Sequence, residues 1–339
     1  MRLGVNVPAL DAVGTAQLAE RLGYDVVFVP EGYRSDAPSV LGLLAGATTT
    51  IDLAAGVLQM PGRTPVMTAM TTAMLDALSH GRFRLGLGVS NVAVTSGWHG
   101  QPFADPIGRV REYVAVVRAA LAGERVQHDG VHFRMPLDGH EGFLLAGRLH
   151  APDLPIYLAA VGPRSLRLAG GIADGWFGVF CSPERIVAAR ALLAEGGAGD
   201  RAGRPFEVMP SVPIVVDDDP ERAASAVRGY VARFVSLGRR GSNIYHRLMV
   251  DAGFGAAADR IQDHTAAGEH TAAAAAVPFE FLDRTALLGP PDRIAAGIRA
   301  YADAGVTTLA LSPFAADPDG RAAALHVAAK AVAPTRSTP

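Results

Sequence analysis

Eight times along the chain a short apolar run is joined to a stretch with helical spacing, and this alternation limits the fold more than any other feature. Apolar runs at 3–7, 25–29, 51–58, 83–87, 156–160, 176–180, 208–216 and 306–311 read as strands. They lack the polar alternation of a sheet with one wet face, so they predict a parallel sheet buried on both sides. Helices are expected at 15–22, 38–48, 65–78, 106–121, 163–172, 183–193, 220–237, 291–304 and 320–331. Many begin at a proline, where a missing N–H is harmless, and Gly23 marks the end of the first. Eight strand–helix units predict an α/β fold, a (β/α)8 TIM barrel, with one domain over 1–339. An open doubly wound sheet has the same local pattern and stays as the rival. Three segments exceed ordinary connections, at about 89–105, 124–154 and 240–288. The second holds Asp129-Gly130, a hairpin signal over 125–135.

Composition excludes several classes of function. The net charge of −2 gives no basic surplus for nucleic acid or an anionic membrane. The single cysteine, Cys181, rules out an intrachain disulfide and a cysteine-rich zinc site. No apolar run approaches the ~18 residues of a membrane helix, and the start MRLGVNVPALD lacks the pattern of a secretory signal. A soluble cytoplasmic protein with no metal is expected.

The candidate chemistry sits just after the strands, where a barrel keeps its active site. Glu31-Gly-Tyr33-Arg34-Ser-Asp36 follows the second strand and offers groups for acid–base work or for a solvated loop. Glu31 is the stronger candidate; Arg34 and Asp36 read as loop residues. Gly56 ends the third strand as a bulge or a kink. Gly86-Leu-Gly88-Val89-Ser90-Asn91 fails as a dinucleotide fingerprint, because Asn91 replaces the third glycine and no helix is expected there. It either cradles a phosphate or makes a tight strand exit. Ala159 to Ser165 leads a strand into a helix and reads as an anion site or as ordinary turn chemistry. Trp98 and His99 offer a pocket wall and a proton donor. His128 and His132 flank the hairpin turn and read as surface residues. Cys181 reads as a core residue or a pocket liner.

Together, ERLGYDVVFVPEGYRSDAP, IDLAAGVLQMPGRTP, LDALSHGRFRLGLGVS, GWHGQPF, REYVAVVRAAL, DLPIYLAAVGPRSLRLAGGIADGW and LLGPPDRIAAGIRAYADAGVTTLAL resemble, in this order, the luciferase-like monooxygenase superfamily. The likeness is greater to its coenzyme F420-dependent oxidoreductase branch and covers nearly the whole chain; residues 243–263 also fit that branch. It implies a barrel holding a deazaflavin or flavin at the C-terminal rim. It implies a non-proline cis peptide at Gly56-Val57 behind the ring, with Asn6 and Glu31 near it. It places phosphate-side contacts at Val89, Ser90 and Asn91, then at Ala160, Val161 and Gly162. Trp98 and Cys181 are candidate pocket residues, and Glu31, Tyr33 and His99 candidate catalytic groups. Three departures stand out: Gly32 replaces a histidine common after the acidic residue, Val161-Gly162 replaces a paired glycine, and Ser90-Asn91 is unlike the glycine-rich form.

The activity implied is hydride transfer from reduced F420 to a C=C, C=N or C=O acceptor in a small molecule or a modified peptide. Specialised metabolism, including reduction of dehydroamino acids, fits the departures. An FMN-dependent monooxygenase and a non-catalytic flavin-binding or deazaflavin-binding protein are the alternatives. A homodimer through the barrel helices is also implied.

Overall fold

The structure is a computed structural model and describes residues 1–33, 35–146, 149–150, 153–199 and 203–332; Arg34 lies outside them. Eight strands form the barrel: β1 (Arg2–Asn6), β2 (Val26–Val29), β3 (Asp52–Ala55), β4 (Phe83–Gly88), β5 (Ile156–Ala159), β6 (Gly175–Val179), β7 (Glu207–Val216) and β8 (Thr308–Pro313). Each pairs in parallel with the next. The ring closes where β8 meets β1, with Leu3 opposite Leu309 and Gly4 opposite Ala310. That closure decides between the two expected folds in favour of the TIM barrel.

The helices are α1 (Ala12–Arg21), α2 (Ala37–Ala47), α3 (Pro65–Leu78), α4 (Val92–Gly97), α5 (Pro106–Leu121), α6 (Pro163–Ile172) and α7 (Pro183–Glu195). They continue as α8 (Pro220–Val235), α9 (Ile244–Met249), α10 (Gly255–Ala266), α11 (His270–Ala275), α12 (Phe279–Thr285), α13 (Pro291–Asp303) and α14 (Pro318–Val332). Strand residues of outward parity, such as Val5, Val27, Leu53, Leu85 and Leu309, pack under the helices in one core. A second core, with Phe180, Val231, Leu248, Ile261 and Phe281, lies beneath the segment after β7. No helix among the described residues is long and apolar enough to cross a membrane.

Residues of inward parity form layers. At the bottom, Arg2 pairs with Glu207, and Arg84 meets Asp52 at 3.0 Å. Tyr157 Oη donates to Glu207 at 2.7 Å. Above them Val26, Phe28, Ala54, Tyr157, Met209 and Ala310 make a buried apolar plug. The top layer stays partly open: Asn6, Gly56, Ala159, Phe177, Val179 and Ser312 all keep exposed surface. The barrel is therefore sealed below and opens as a shallow bowl at the C-terminal ends of its strands.

Three local expectations need correcting, and a fourth segment gains detail. The run 51–58 is not one strand: pairing with β4 stops after Ala54, and Leu58–Gln59 resumes it opposite Leu87 and Gly88. The hairpin ladder is only His128–Asp129 against Arg134–Met135. A short helix, α4, does open after Asn91, because the Asn91 carboxamide oxygen accepts from Val94 N at 3.1 Å and caps it. The 240–288 segment is mostly helical, and Leu287–Gly289 adds a short strand beside β7.

The turn before β3 depends on one carboxylate. Glu20 on α1 accepts from Thr49 N, Thr50 N and Ile51 N at 2.8, 2.6 and 3.0 Å. Burial pushes its pKa up, but these backbone donors outweigh it and bring it down to about 2. A depressed folded-state pKa stabilises above the unfolded value and is lost as pH falls through the folded one. Stability is therefore expected to decline between about pH 5 and pH 2. Glu20→Gln should flatten that acid limb in urea unfolding followed by circular dichroism. An unchanged limb would show that Glu20 does not drive it.

Candidate functional site

The loops after β2, β3 and β4 form one wall of the bowl, and a carboxylate ties them together. Glu31, directly after β2, sits where the backbone turns towards α2, whose N-terminus is capped by Asp36 through Ser39 N at 3.0 Å. Glu31 Oε2 accepts from Gln59 N at 2.7 Å; Oε1 accepts from Arg63 Nη2 at 2.5 Å and from Ala37 N at 3.4 Å. Both oxygens are thus engaged, and the pair is largely shielded from solvent. Arg63 also reaches Asp36 at 3.2 Å. Burial raises the Asp36 carboxyl, but Ser39 and Arg63 outweigh it and hold it below its usual range. Arg63 and Gln59 were not anticipated, since nothing local in the sequence marks a partner about thirty residues away.

Gln59 carries the tie onward. Its side-chain amide nitrogen donates to the Glu31 carbonyl at 3.3 Å, and its Oε1 lies 2.8 Å from His99 Nε2. Neighbouring Trp98 is 66% exposed and faces Tyr33, 46% exposed, with ring centroids 6.5 Å apart. Glu31 and His99 thus belong to one cluster, and Tyr33 and Trp98 stand as a half-exposed aromatic pair across the same loops.

The bowl's floor follows from β3 and β4. The Gly56-Val57 peptide is cis, as the resemblance implies. Val57 lies against the inward faces of Gly86 and Gly88, where added Cβ atoms would come 3.0 and 2.7 Å from its methyl groups. The absence of a side chain at both positions leaves the room that Val57 fills. Beyond them Ser90 holds a left-handed φ of 63°, and the Asn91 side chain is occupied as the α4 cap. Val89 is half-buried, its carbonyl accepting from Thr95 Oγ1 at 3.4 Å.

The opposite arc is polar. Asn6 Nδ2 donates to Ser211 Oγ at 3.1 Å and to Ser312 Oγ at 2.9 Å, and the two hydroxyls are 3.3 Å apart. The sequence reading missed both serines; the available signal was a hydroxyl residue inside an otherwise apolar barrel strand. Separated from this arc by β6, β5 runs into α6. Ala160 O accepts from Trp176 Nε1 at 2.8 Å, and Val161 O from Arg185 Nη2 at 2.9 Å. Gly162 begins the ten-residue α6 with no side-chain cap, and a Cβ there would meet nothing nearer than 3.8 Å.

One expectation fails at the site's margin. Cys181 is 1% exposed and sits in the core, so it does not line the bowl. The preceding residue, Phe180, has a left-handed φ of 50°. Burial raises the Cys181 thiol to about 11, with Arg185 opposing. His128 and His132 stay partly exposed at the hairpin, as expected, and lie 3.4 Å from Glu112 and 3.2 Å from Asp105. No group of three metal-ligating side chains occurs among the described residues.

Comparison with known proteins gives a consistent result. The model of the luciferase-like monooxygenase family matches residues 3–308. A putative coenzyme F420-dependent oxidoreductase of Mycobacterium tuberculosis is 34% identical over 335 residues, 94% of this chain and 96% of its own. The 5,10-methylenetetrahydromethanopterin reductase of Methanolobus tindarius is 31% identical over 305 residues, 89% of this chain and 90% of its own. The solved structure of the coenzyme F420-dependent tetrahydromethanopterin reductase from Methanopyrus kandleri superposes with a TM-score of 0.81 at 24% identity, over 98% of this chain and 99% of that one.

Proposed function

The chain belongs to the luciferase-like monooxygenase family, and from that premise we propose that it is a coenzyme F420-dependent oxidoreductase acting as a reductase. The observation that carries this reading is the full-length likeness to a relative named for F420 dependence. The bowl supports it. A flat ring with an anionic tail needs an apolar floor, a polar edge and a site for negative charge. Val57 and Phe177 provide half-exposed apolar surface, and Asn6, Ser211 and Ser312 a polar edge. The uncapped start of α6 at Gly162 leaves backbone N–H groups for a phosphate. Arg185 adds positive charge behind Val161, and its Nε is buried with no partner among the described residues.

When bound, the reduced deazaflavin supplies a hydride to a C=C, C=N or C=O acceptor. The protein's part is to hold the acceptor against the ring, exclude water and deliver a proton. The exposed Tyr33 and Trp98 offer apolar surface above the bowl for a bulky substrate, such as a natural-product intermediate or a modified peptide. Equilibrium titration of the apo-protein with F420 and with FMN, followed by fluorescence, tests the cofactor. F420 is expected to bind at least about tenfold more tightly, ~1.4 kcal/mol. Preference for FMN would overturn the reading in favour of an oxygen-dependent reaction.

The protein is further proposed to be a homodimer. Met67, Met70, Met74 and Leu78 follow one another along α3 at helical spacing, each half or more exposed, with Leu43 of α2 equally exposed. Such a patch on a water-soluble surface marks an interaction face, and a two-fold dimer lets it cover itself. Met70→Glu with Met74→Glu should convert the dimer to a monomer in sedimentation. A wild-type monomer at micromolar concentration would refute the proposal.

A further inference from the structure

We infer that Gln59 holds His99 as the Nε2–H tautomer, so that His99 delivers the proton of the reduction from Nδ1, with Glu31 the anchor of this arrangement and not its acid. The inference rests on the reductase reading above. Its first step needs only hydrogen-bond logic. The Glu31 main-chain carbonyl can only accept, so the group facing it at 3.3 Å must be the Gln59 amide nitrogen. That fixes the carboxamide's orientation and turns Oε1 to His99. A carboxamide oxygen also only accepts, so His99 Nε2 must carry the hydrogen across the 2.8 Å contact. Nδ1 is left as the nitrogen without a hydrogen in the neutral ring, and it has no hydrogen-bond partner among the described residues.

The anchoring is long-range and rigid. Glu31 Oε2 holds the Gln59 backbone N–H at 2.7 Å while Arg63 holds Oε1 at 2.5 Å, so the amide is fixed at its main chain and at its tip. The His99 main-chain N–H donates to Val94 O at 3.1 Å, which ties the ring's base to α4. Glu31 offers no free oxygen for substrate, and the Asn6–Ser211–Ser312 arc contains only neutral groups. Gln59 is therefore a positioning residue acting through His99, a task that a loop histidine needs done if its proton is to arrive at one place.

The step balances. With a hydride reaching carbon from the reduced deazaflavin, the π electron pair of C=X moves to X. X takes the Nδ1 proton of doubly protonated His99, and the N–H bonding pair stays on Nδ1. His99 is left neutral with its Nε2–H still on Gln59, and water returns the proton.

The primary test needs no cofactor. Protein labelled with 15N-histidine is examined by two-bond proton–nitrogen NMR, with His99→Asn identifying the His99 signals. Neutral His99 should show the Nε2–H pattern alone, and Gln59→Met should give a mixture of tautomers. A wild-type Nδ1–H pattern, or no change in Gln59→Met, overturns the inference. The second arm follows F420H2 oxidation by cyclohexenone as probe. His99→Asn should lower kcat by about 100-fold with F420 affinity within about twofold, and Gln59→Met by about tenfold. Unchanged kcat in His99→Asn removes the proton role even if the tautomer stands. Failure of F420 to bind the wild type would instead defeat the reductase reading, leaving the tautomer result valid.

Discussion

Glu31→Ala is expected to destabilise the fold by about 3–5 kcal/mol, the range found when one partner of a shielded ion pair is removed. Arg63 is only 15% exposed at its side chain and Glu31 9%, so neither charge is well hydrated. Arg63 Nε is buried with no partner among the described residues. Without Glu31 its remaining acidic neighbour is Asp36, at 3.2 Å and 56% exposed, a surface pair worth less than about 1 kcal/mol. Gln59 N and Ala37 N would lose their acceptor too, and the loops after β2 and β3 would separate. Glu31→Gln keeps the shape but turns an N–H towards a donor, and should cost about 1–3 kcal/mol. Urea unfolding of both variants checks this. A loss under about 1 kcal/mol in Glu31→Ala would place the cluster among ordinary surface salt bridges.

The barrel was legible because parallel strands buried on both faces are apolar over their central residues, and runs such as VVFV at β2 and IYLA at β5 stand out against helical spacing. What the sequence hid was where pairing is interrupted. IDLAAGVL reads as continuous strand, and only the register against β4 shows that residues 56 and 57 step out of it. α4 was hidden for a related reason. Its sequence VAVTSG is rich in β-branched residues and poor in helix formers, so the helix depends on the Asn91 cap and on Val94 and Thr95 burying against the barrel.

The site divides in the same way. Glu31, Asn6 and the β5–α6 turn could be picked out because each lies at or just past the C-terminal end of a strand, and His99 because it lies in the long segment after β4, where a barrel exposes its loops. Their chemistry was not, because it is decided by partners distant in sequence. A carboxylate that looks available for acid–base work is engaged by Arg63 and Gln59. Histidines at 128 and 132 that look like surface groups are met by Glu112 and Asp105 on or beside α5. Cys181 follows a strand as closely as Glu31 does, yet it is inside, packed in the barrel core.

Gly86→Ala is the second change with a large expected effect, and it tests how the floor of the bowl is built. A Cβ at Gly86 would overlap the main-chain oxygen of Ala55 and come within 3.0 Å of Val57 Cγ1. A side chain could rotate away, but a strand's own carbonyl cannot move without pulling β3 from β4. The cost is expected to reach about 3 kcal/mol, the upper end for overpacking. Because the displaced backbone leads directly into Gly56 and Val57, F420 affinity should fall as well, by about tenfold or more, ~1.4 kcal/mol. Gly88→Ala meets only the Val57 methyl at 2.7 Å, so it should cost less, about 1 kcal/mol. Gly229 on α8 has no atom within 4 Å of an added Cβ, and Gly229→Ala should stabilise by about 0.5–1 kcal/mol. Thermal unfolding should therefore place Gly86→Ala and Gly88→Ala below the wild type and Gly229→Ala above it, and cofactor titration should show the largest loss for Gly86→Ala. If Gly86→Ala lost stability but kept full F420 affinity, the seam between β3 and β4 would be a packing feature alone, and the ring would have to lie elsewhere in the bowl.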